Sequence, residues 1–417
     1  MTALPLRSRH AWRGAPAPGA RRGFTLIELM VALTGGLVFS VFVFMLARDS
    51  SRFYQRESRV ADATFGAIAG FQRLRTDIAR AGYLSLPNLQ RDVSFCGNPI
   101  GAGYGAVPGL ASLASLRIQV GGSPANVVST NSGLTPDALF LMGSYASPDQ
   151  FPIRSVAPRP GGGYDVMLQL TSPAMRRLLA RDITLASVFM PGRALRIVDQ
   201  AGGQQFGIIA GPAATETNPV VVLSAQPGLQ FKQGNNGCGL RGTESGSLVN
   251  VVQLIRYDLR SLESESQYTP IYSSDDTAPR TELVRTEMDF VNPAVALSGT
   301  NPELVAEFAV DFKLGLIGVT NPTTNTTEEI PAANIPVFAG DTRDAGTTSG
   351  PGLIRAVRAR LSVRTRAADR DAVDLGPTAG VAPGLYRVDV RGAGESTPQF
   401  ARVRTLQADI ALRNQLR

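Results

Sequence analysis

From Phe24 to Leu46 the chain is one apolar run, and Glu28 is its only ionisable side chain. As a helix rising about 1.5 Å per residue, such a run covers the roughly 30 Å hydrocarbon layer of a bilayer. Further on, Val60, Thr64, Ala67, Phe71, Leu74, Ile78 and Ala81 recur at steps of four and three. Arg59, Asp62, Arg73, Asp77 and Arg80 lie off that stripe. The spacing predicts a single helix over residues 24–82, apolar all round in its first half and amphipathic in its second. Gly82 and Pro87 mark its end.

Beyond Tyr83 short β-type runs alternate with Gly, Pro, Asn and Ser. The predicted strands are Leu116–Val120, Ala138–Gly143, Tyr164–Leu170, Arg193–Asp199, Gly207–Ala210 and Val220–Ser224, followed by Leu248–Leu259, Glu282–Thr286, Val305–Leu314, Ile354–Arg364, Leu385–Arg391 and Phe400–Leu412. In the tenth of these, Arg355, Val357, Ala359, Leu361 and Val363 share the face expected on the core, and Ile354, Ala356, Arg358, Arg360 and Ser362 the other. Residues 321–352 and 369–384 read as surface loops. The pattern indicates an α+β protein, a long helix packed on an antiparallel β-rich domain.

Composition alters this picture in two ways. The 417 residues carry a formal charge of +7, which by itself suggests an anionic partner. Residues 1–23 hold Arg7, Arg9, Arg13, Arg21 and Arg22 and no acid, so the remainder has 36 basic against 34 acidic residues. The basicity belongs to a targeting segment that holds the N-terminus in the cytoplasm. Four arginines after the span (Arg48, Arg52, Arg56 and Arg59) make the loop-charge asymmetry thin, so the leader must settle orientation. The same segment holds the only histidine, His10, and the only tryptophan, Trp12. Without it, His-dependent triads, His acid–base catalysis and His metal ligation are all excluded. Two cysteines remain, Cys96 and Cys238, either a disulfide of an oxidising compartment or two buried thiols.

Other candidate chemistry is weak. Gly101-Ala102-Gly103-Tyr104-Gly105 follows no strand and lacks the Gly-Lys-Ser/Thr ending of a phosphate loop. Ser245 misses the spacing of a nucleophile elbow. Asp258, Glu263, Glu265, Asp275 and Asp276 lack the spacing of a calcium loop and read as a solvated cluster. Asn325-Thr326-Thr327 matches a sequon that is frequent by chance. Arg355, Arg358, Arg360, Arg364 and Arg366 have no interleaved aromatics and read as an exposed strand face, with no nucleic acid expected. No cofactor, metal or enzymatic activity is expected.

Arg21-Arg22-Gly23-Phe24-Thr25-Leu26-Ile27-Glu28-Leu29-Met30 resembles the class III leader junction of type IV pilins and type II secretion pseudopilins. The resemblance implies cleavage by prepilin peptidase after Gly23, N-methylation of Phe24, and pairing of Glu28 with a neighbouring subunit's Phe24 amine. It further implies a removed leader at 1–23, a membrane and assembly segment at 24–46, an amphipathic helix at 47–82 and a pilin domain at 83–417. Arg75-Thr76-Asp77-Ile78-Ala79-Arg80-Ala81-Gly82-Tyr83 is similar to the Asp-x-x-x-Ala-Gly-Tyr helix exit of PilW-type minor pilins. That family usually has a Cys just after the Tyr, whereas the nearest here is Cys96. The order of the runs at 251–257, 282–285, 305–312 and 355–361 resembles that of PilW and J-type pseudopilins, as does the tail at 410–414. These likenesses imply an inner-membrane precursor that joins a surface pilus serving adhesion and twitching motility. The implied partners are the peptidase, inner-membrane lipid, the major pilin, other minor pilins and a large tip adhesin. A J-type pseudopilin and a pilus-borne adhesin or DNA-uptake subunit are the alternatives.

Overall fold

The computed structural model describes residues 23–89, 92, 94–96, 104–211, 214–232, 238–242, 246–272, 279–339, 350–369, 387–392 and 394–415. One helix, α1, runs from Leu26 to Ala79. The chain divides into two compact units between Ser58 and Arg59. In the first, every side chain from Phe24 to Leu46 is exposed, and α1 is long and apolar enough to cross a membrane.

In the second unit the predicted stripe is the buried one, with Val60, Ala67, Phe71, Leu74 and Ile78 all shielded from solvent. Burying such a stripe stabilises a helix far more than propensity does. The last turns differ slightly from the predicted span. Arg80 N bonds to both Thr76 O and Asp77 O, the turn tightens, and Gly82 takes φ +74°. A helix ending on a left-handed glycine needs no Cβ there.

The first sheet has ten strands: β1 (Leu116–Gln119), β2 (Ala138–Gly143), β3 (Phe151–Pro158), β4 (Tyr164–Leu168), β5 (Ala194–Val198), β6 (Gln204–Ile208), β7 (Val220–Leu223), β8 (Leu248–Arg260), β9 (Glu282–Met288) and β10 (Glu303–Ala306). Long β8 serves two neighbourhoods. Residues 248–252 pair with β5, and residues 253–260 with β2 and β9. From its first half the path β5–β8–β3–β4–β7 returns to β6, which already pairs with β5. Ser224 N donates to Ile208 O at 2.9 Å and Ala210 N to Val222 O at 2.8 Å, so six strands close on themselves. Closure removes the open edges that invite pairing with other chains. Phe151, Val166, Leu195, Val221 and Val251 form one apolar cluster with Met175 and Phe189 from the segment between β4 and β5.

The second sheet is β12 (Thr326–Ile330), β11 (Ala309–Asn321), β13 (Ile354–Arg364), β15 (Phe400–Ala411) and β14 (Arg387–Asp389), in that spatial order. Every pairing in both sheets is antiparallel. One cluster joins the α1 stripe to Leu116, Leu139, Ile255 and Tyr257 of the first sheet and Phe312, Val357, Leu361 and Ile410 of the second. The C-terminal half of α1 is thus the common core element of both sheets.

Four expectations change. Val305–Leu314 is two strands, β10 and β11, split where Phe308 adopts φ +53°. Residues 321–352 are no plain loop, for they contain β12 and a short helix, α2 (Ile335–Ala339). Strand β3, with Pro152 and Pro158, was not predicted. On β13 the alternation breaks at its start: a register shift opposite Ile317 and Gly318 turns Ile354 into the core. Arg355 instead bonds the Gly352 carbonyl at 2.9 Å. Of the predicted loop at 369–384 only Asp369 lies within the described residues.

Candidate assembly site

Gly23 and Phe24 precede the first turn of α1. Among the described residues no other group lies within 4 Å of where a Gly23 Cβ would sit, and Phe24 is 86% exposed. Both residues flanking the peptide bond between them are exposed. Helix α1 then starts on a reciprocal cap. Thr25 N and Thr25 Oγ1 each donate to Glu28 Oε2 at 3.0 Å, and Glu28 N donates to Thr25 Oγ1 at 3.3 Å. This is a capping box, in which two orphan donors of the first turn are satisfied by side chains three residues apart. The Thr-x-x-Glu spacing would have revealed it from sequence, but the reading above took Glu28 only as an intersubunit acid. The Glu28 Oε1 atom makes no hydrogen bond among the described residues.

The hydroxyls further along the span are self-satisfied. Thr34 Oγ1 donates to Met30 O at 2.9 Å and Ser40 Oγ to Gly36 O at 2.8 Å. In lipid an unsatisfied polar group costs several kcal/mol, roughly. Between Phe24 and Leu46 that leaves Glu28 as the one side chain whose chemistry calls for a partner.

The helix exit is a second constellation, wholly inside the second unit. Asp77 is buried, and its Oδ2 accepts from Tyr257 Oη at 2.8 Å and Arg285 Nε at 2.7 Å. Burial, and then the Asp77 carboxylate, hold the Tyr257 hydroxyl well above its ordinary pKa. Arg285 continues to Glu303 at 3.2 Å, and Glu303 to Arg73 at 3.3 Å. Arg80 donates to Ser144 O at 2.8 Å with its guanidinium 5.4 Å from the Tyr145 ring centre. Gly82 N donates to Met142 O at 2.7 Å, and a Cβ there would lie 3.0 Å from Ser115 Cβ. Tyr83 Oη reaches Pro148 O at 3.2 Å. Asp77, Arg80, Gly82 and Tyr83 of the Asp-x-x-x-Ala-Gly-Tyr exit each have a defined polar or close-packing contact, Ile78 and Ala81 belong to the core, and Ala79 packs against it.

Cys96 and Cys238 are joined as a disulfide with their Cα atoms 5.3 Å apart. The bond lies over the β5–β6 turn, where a Cβ on Gly203 would collide with both sulfurs. Asp199 accepts from Ala201 N at 2.8 Å and Gly203 N at 2.7 Å, fixing that turn.

Most other candidates are not brought together. Asp258 is buried on β8 between Arg256 at 2.9 Å and Arg260 at 3.7 Å, and burial raises its carboxyl above the usual range against the pull of both arginines. Glu263 is exposed, Glu265 half-buried, and Asp275 and Asp276 lie outside the described residues, as do Gly101, Gly103 and Ser245. Asn325 is exposed at the β11–β12 turn with φ +52°. The arginines of β13 are largely neutralised or buried. Arg358 binds Asp409 and Glu329, each at 2.7 Å, and Arg360 binds Asp311 at 3.0 Å. Arg364 is fully buried and donates to the backbone carbonyls of Thr365, Arg366 and Pro279. A sequence reading placed it on an exposed face, and the structure overturns that.

Residues 19–34 match the family model described as the prokaryotic N-terminal methylation motif. No curated protein and no solved structure gave a significant match to the chain. The motif supports a type IV pilin- or pseudopilin-like protein. It implies processing by prepilin peptidase and assembly with other pilins, and with α1 it fits anchoring in the inner membrane before assembly.

Proposed function

We propose that the chain is a PilW-like minor pilin of the type IV pilus, acting by assembly and not by catalysis. The observation that carries this reading is Gly23-Phe24 and Glu28 standing at the capped start of an apolar helical segment that is exposed throughout from Phe24 to Leu46. Hydrolysis after Gly23 gives Phe24 a free ammonium, which is then N-methylated. Glu28 Oε2 stays with Thr25, and Oε1 accepts from the Phe24 ammonium of the next subunit. Relief of a carboxylate in lipid by that cation sets the axial register of the helices. The contact is head-to-tail and does not close, so it propagates as a fibre. The domain at 83–417 is bulky for lateral packing, which favours a place at or near the tip, priming assembly and supporting a larger adhesin.

A J-type minor pseudopilin of type II secretion shares the junction and the strand order. The Asp77-to-Tyr83 exit favours the pilus, since it resembles the PilW type. Intact mass and N-terminal sequencing of the fibre-associated protein test the processing, with a start at N-methyl-Phe24 expected. Co-purification with secretion-system subunits in place of pilins would reassign the system. Glu28→Gln is expected to lower incorporation at least about tenfold, equivalent to ~1.4 kcal/mol of subunit contact, with leader cleavage unchanged. Normal incorporation of that variant would remove the proposed pairing.

A further inference from the structure

A groove of about 620 Å³ opens on the surface of the closed six-stranded circuit, between the β3–β4 pair and the turn before β7. Its polar lining is Arg154, Gln169, Thr171, Thr217 and Asn218. Arg154 is the extra residue of a β-bulge, since Ile153 pairs with Leu168 and Ser155 with Met167. Bulges re-aim a side chain out of the pleat and are common beside binding sites. Here the bulge presents an exposed guanidinium that meets no carboxylate among the described residues. The walls are preformed by hydrogen bonds from backbone amides, to two carbonyls and one threonine hydroxyl. Gln169 N donates to Pro152 O at 3.0 Å, Leu168 N to Pro219 O at 2.9 Å, and Asn218 N to Thr215 Oγ1 at 3.1 Å. A rigid site loses less entropy on binding.

We propose that this groove binds an acidic oligosaccharide, with Arg154 on the carboxylate and the amides and hydroxyls of Gln169, Thr171, Thr217 and Asn218 on the sugar hydroxyls. The volume lies in the range of small-ligand sites. A guanidinium fork matches a carboxylate in a bidentate way, and neutral amides and hydroxyls match a polyhydroxylated ring. Leu170, 39% exposed, gives the sugar an apolar face to rest on. Nucleic acid fits less well. The lining has one cation and no aromatic platform, whereas single strands need a basic track and stacked bases. The site extends the minor-pilin reading to surface recognition, and it is tested by binding alone, independently of fibre assembly.

The full processed chain in detergent is titrated with tetragalacturonate, 3′-sialyllactose and a hyaluronan tetrasaccharide, with saturation-transfer NMR and calorimetry as readouts. At least one of the three is expected to bind, with a neutral tetrasaccharide at least about tenfold weaker, a loss of one charge-assisted contact. Arg154→Ala is expected to abolish the preference for the acid, and Arg154→Lys to keep part of it. Asn218→Ala is expected to weaken acidic and neutral sugars alike. Arg154 is exposed, so these variants fold, which circular dichroism checks. Failure of all three acids to bind, or binding indifferent to Arg154→Ala, overturns the proposal. So does tighter binding of a single-stranded oligonucleotide with a steep salt dependence, which would make the groove a nucleic-acid site.

Discussion

Glu28 and Asp77 are carboxylates on the same helix, and the protein treats them in opposite ways. Asp77 is enclosed, and both donors to its Oδ2, Tyr257 and Arg285, come from the first sheet. Glu28 is exposed, and among the described residues its side chain bonds only Thr25 of its own turn and has an oxygen left over. Neither charge is cheap to remove from water. A carboxylate whose partners are intramolecular fixes where α1 sits on its own domain. One with an oxygen left over among the described residues fits the contact with another subunit proposed above. The apolar side chains tell the same story, for Leu74 and Ile78 are fully buried while Leu26 is 79% and Phe42 69% exposed.

The largest expected effect breaks the internal half of that comparison. Asp77→Ala leaves the Arg285 guanidinium, only 14% exposed, without its main counter-ion. Removing one partner of a buried pair costs about 3–5 kcal/mol. Urea unfolding of the detergent-solubilised chain, followed by far-UV circular dichroism, should show a loss of that size. Glu28→Gln should leave the same transition in place, since its contacts are confined to one exposed turn. Equal sensitivity of the two variants would erase the distinction.

How much of this was legible in the sequence follows the range of the interactions. The α1 stripe repeats every turn and ends on Gly82 and Pro87, so local pattern sufficed. The junction at Gly23 and Glu28 is a contiguous motif. Asp77 is different: its partners lie 180 and 208 residues away, and no local pattern names them. Strand β3 was hidden by its prolines. Pro152 lacks an N–H but still pairs through its carbonyl, which accepts from Gln169 N at 3.0 Å. Strand β12 was hidden because Thr326 to Glu329 are exposed on both faces and show no alternation. An edge strand of that kind is recruited by its neighbour's ladder, here β11. The split at Phe308 has no glycine to announce it. The groove at Arg154 depends on a bulge, which exists only once β3 and β4 are in register.

The disulfide lies away from α1, and its loss should leave the helix contacts alone while lowering the stability of the domain. It spans 142 residues, a long loop to leave open in the unfolded chain. Cys96→Ser with Cys238→Ser should cost about 2–4 kcal/mol by the same urea assay. Native-state hydrogen exchange should show the increase concentrated around the β5–β6 turn, and helix residues 71–78 should remain protected. Equal deprotection of the helix would mean that the domain has no separately held part.

The smallest effects sharpen the comparison within α1 itself, at two glycines one turn apart. Gly70 is buried where the helix crosses β10. A Cβ there would lie 2.9 Å from Ala306 Cβ and 3.0 Å from the Val305 carbonyl carbon. Neither neighbour can swing aside, so Gly70→Ala should cost about 1–3 kcal/mol through overpacking. Gly66 is exposed, with nothing among the described residues within 4 Å of its would-be Cβ. Gly66→Ala should therefore stabilise the isolated chain by about 0.5–1 kcal/mol, the gain in helix propensity alone. The same measurement in assembled fibres separates two roles for that open face. If Gly66→Ala helps the chain but lowers its incorporation, another helix must approach closely at Gly66, as small residues allow. If it helps both, the face stays in water, and Gly66 is only a weak point in an otherwise continuous helix.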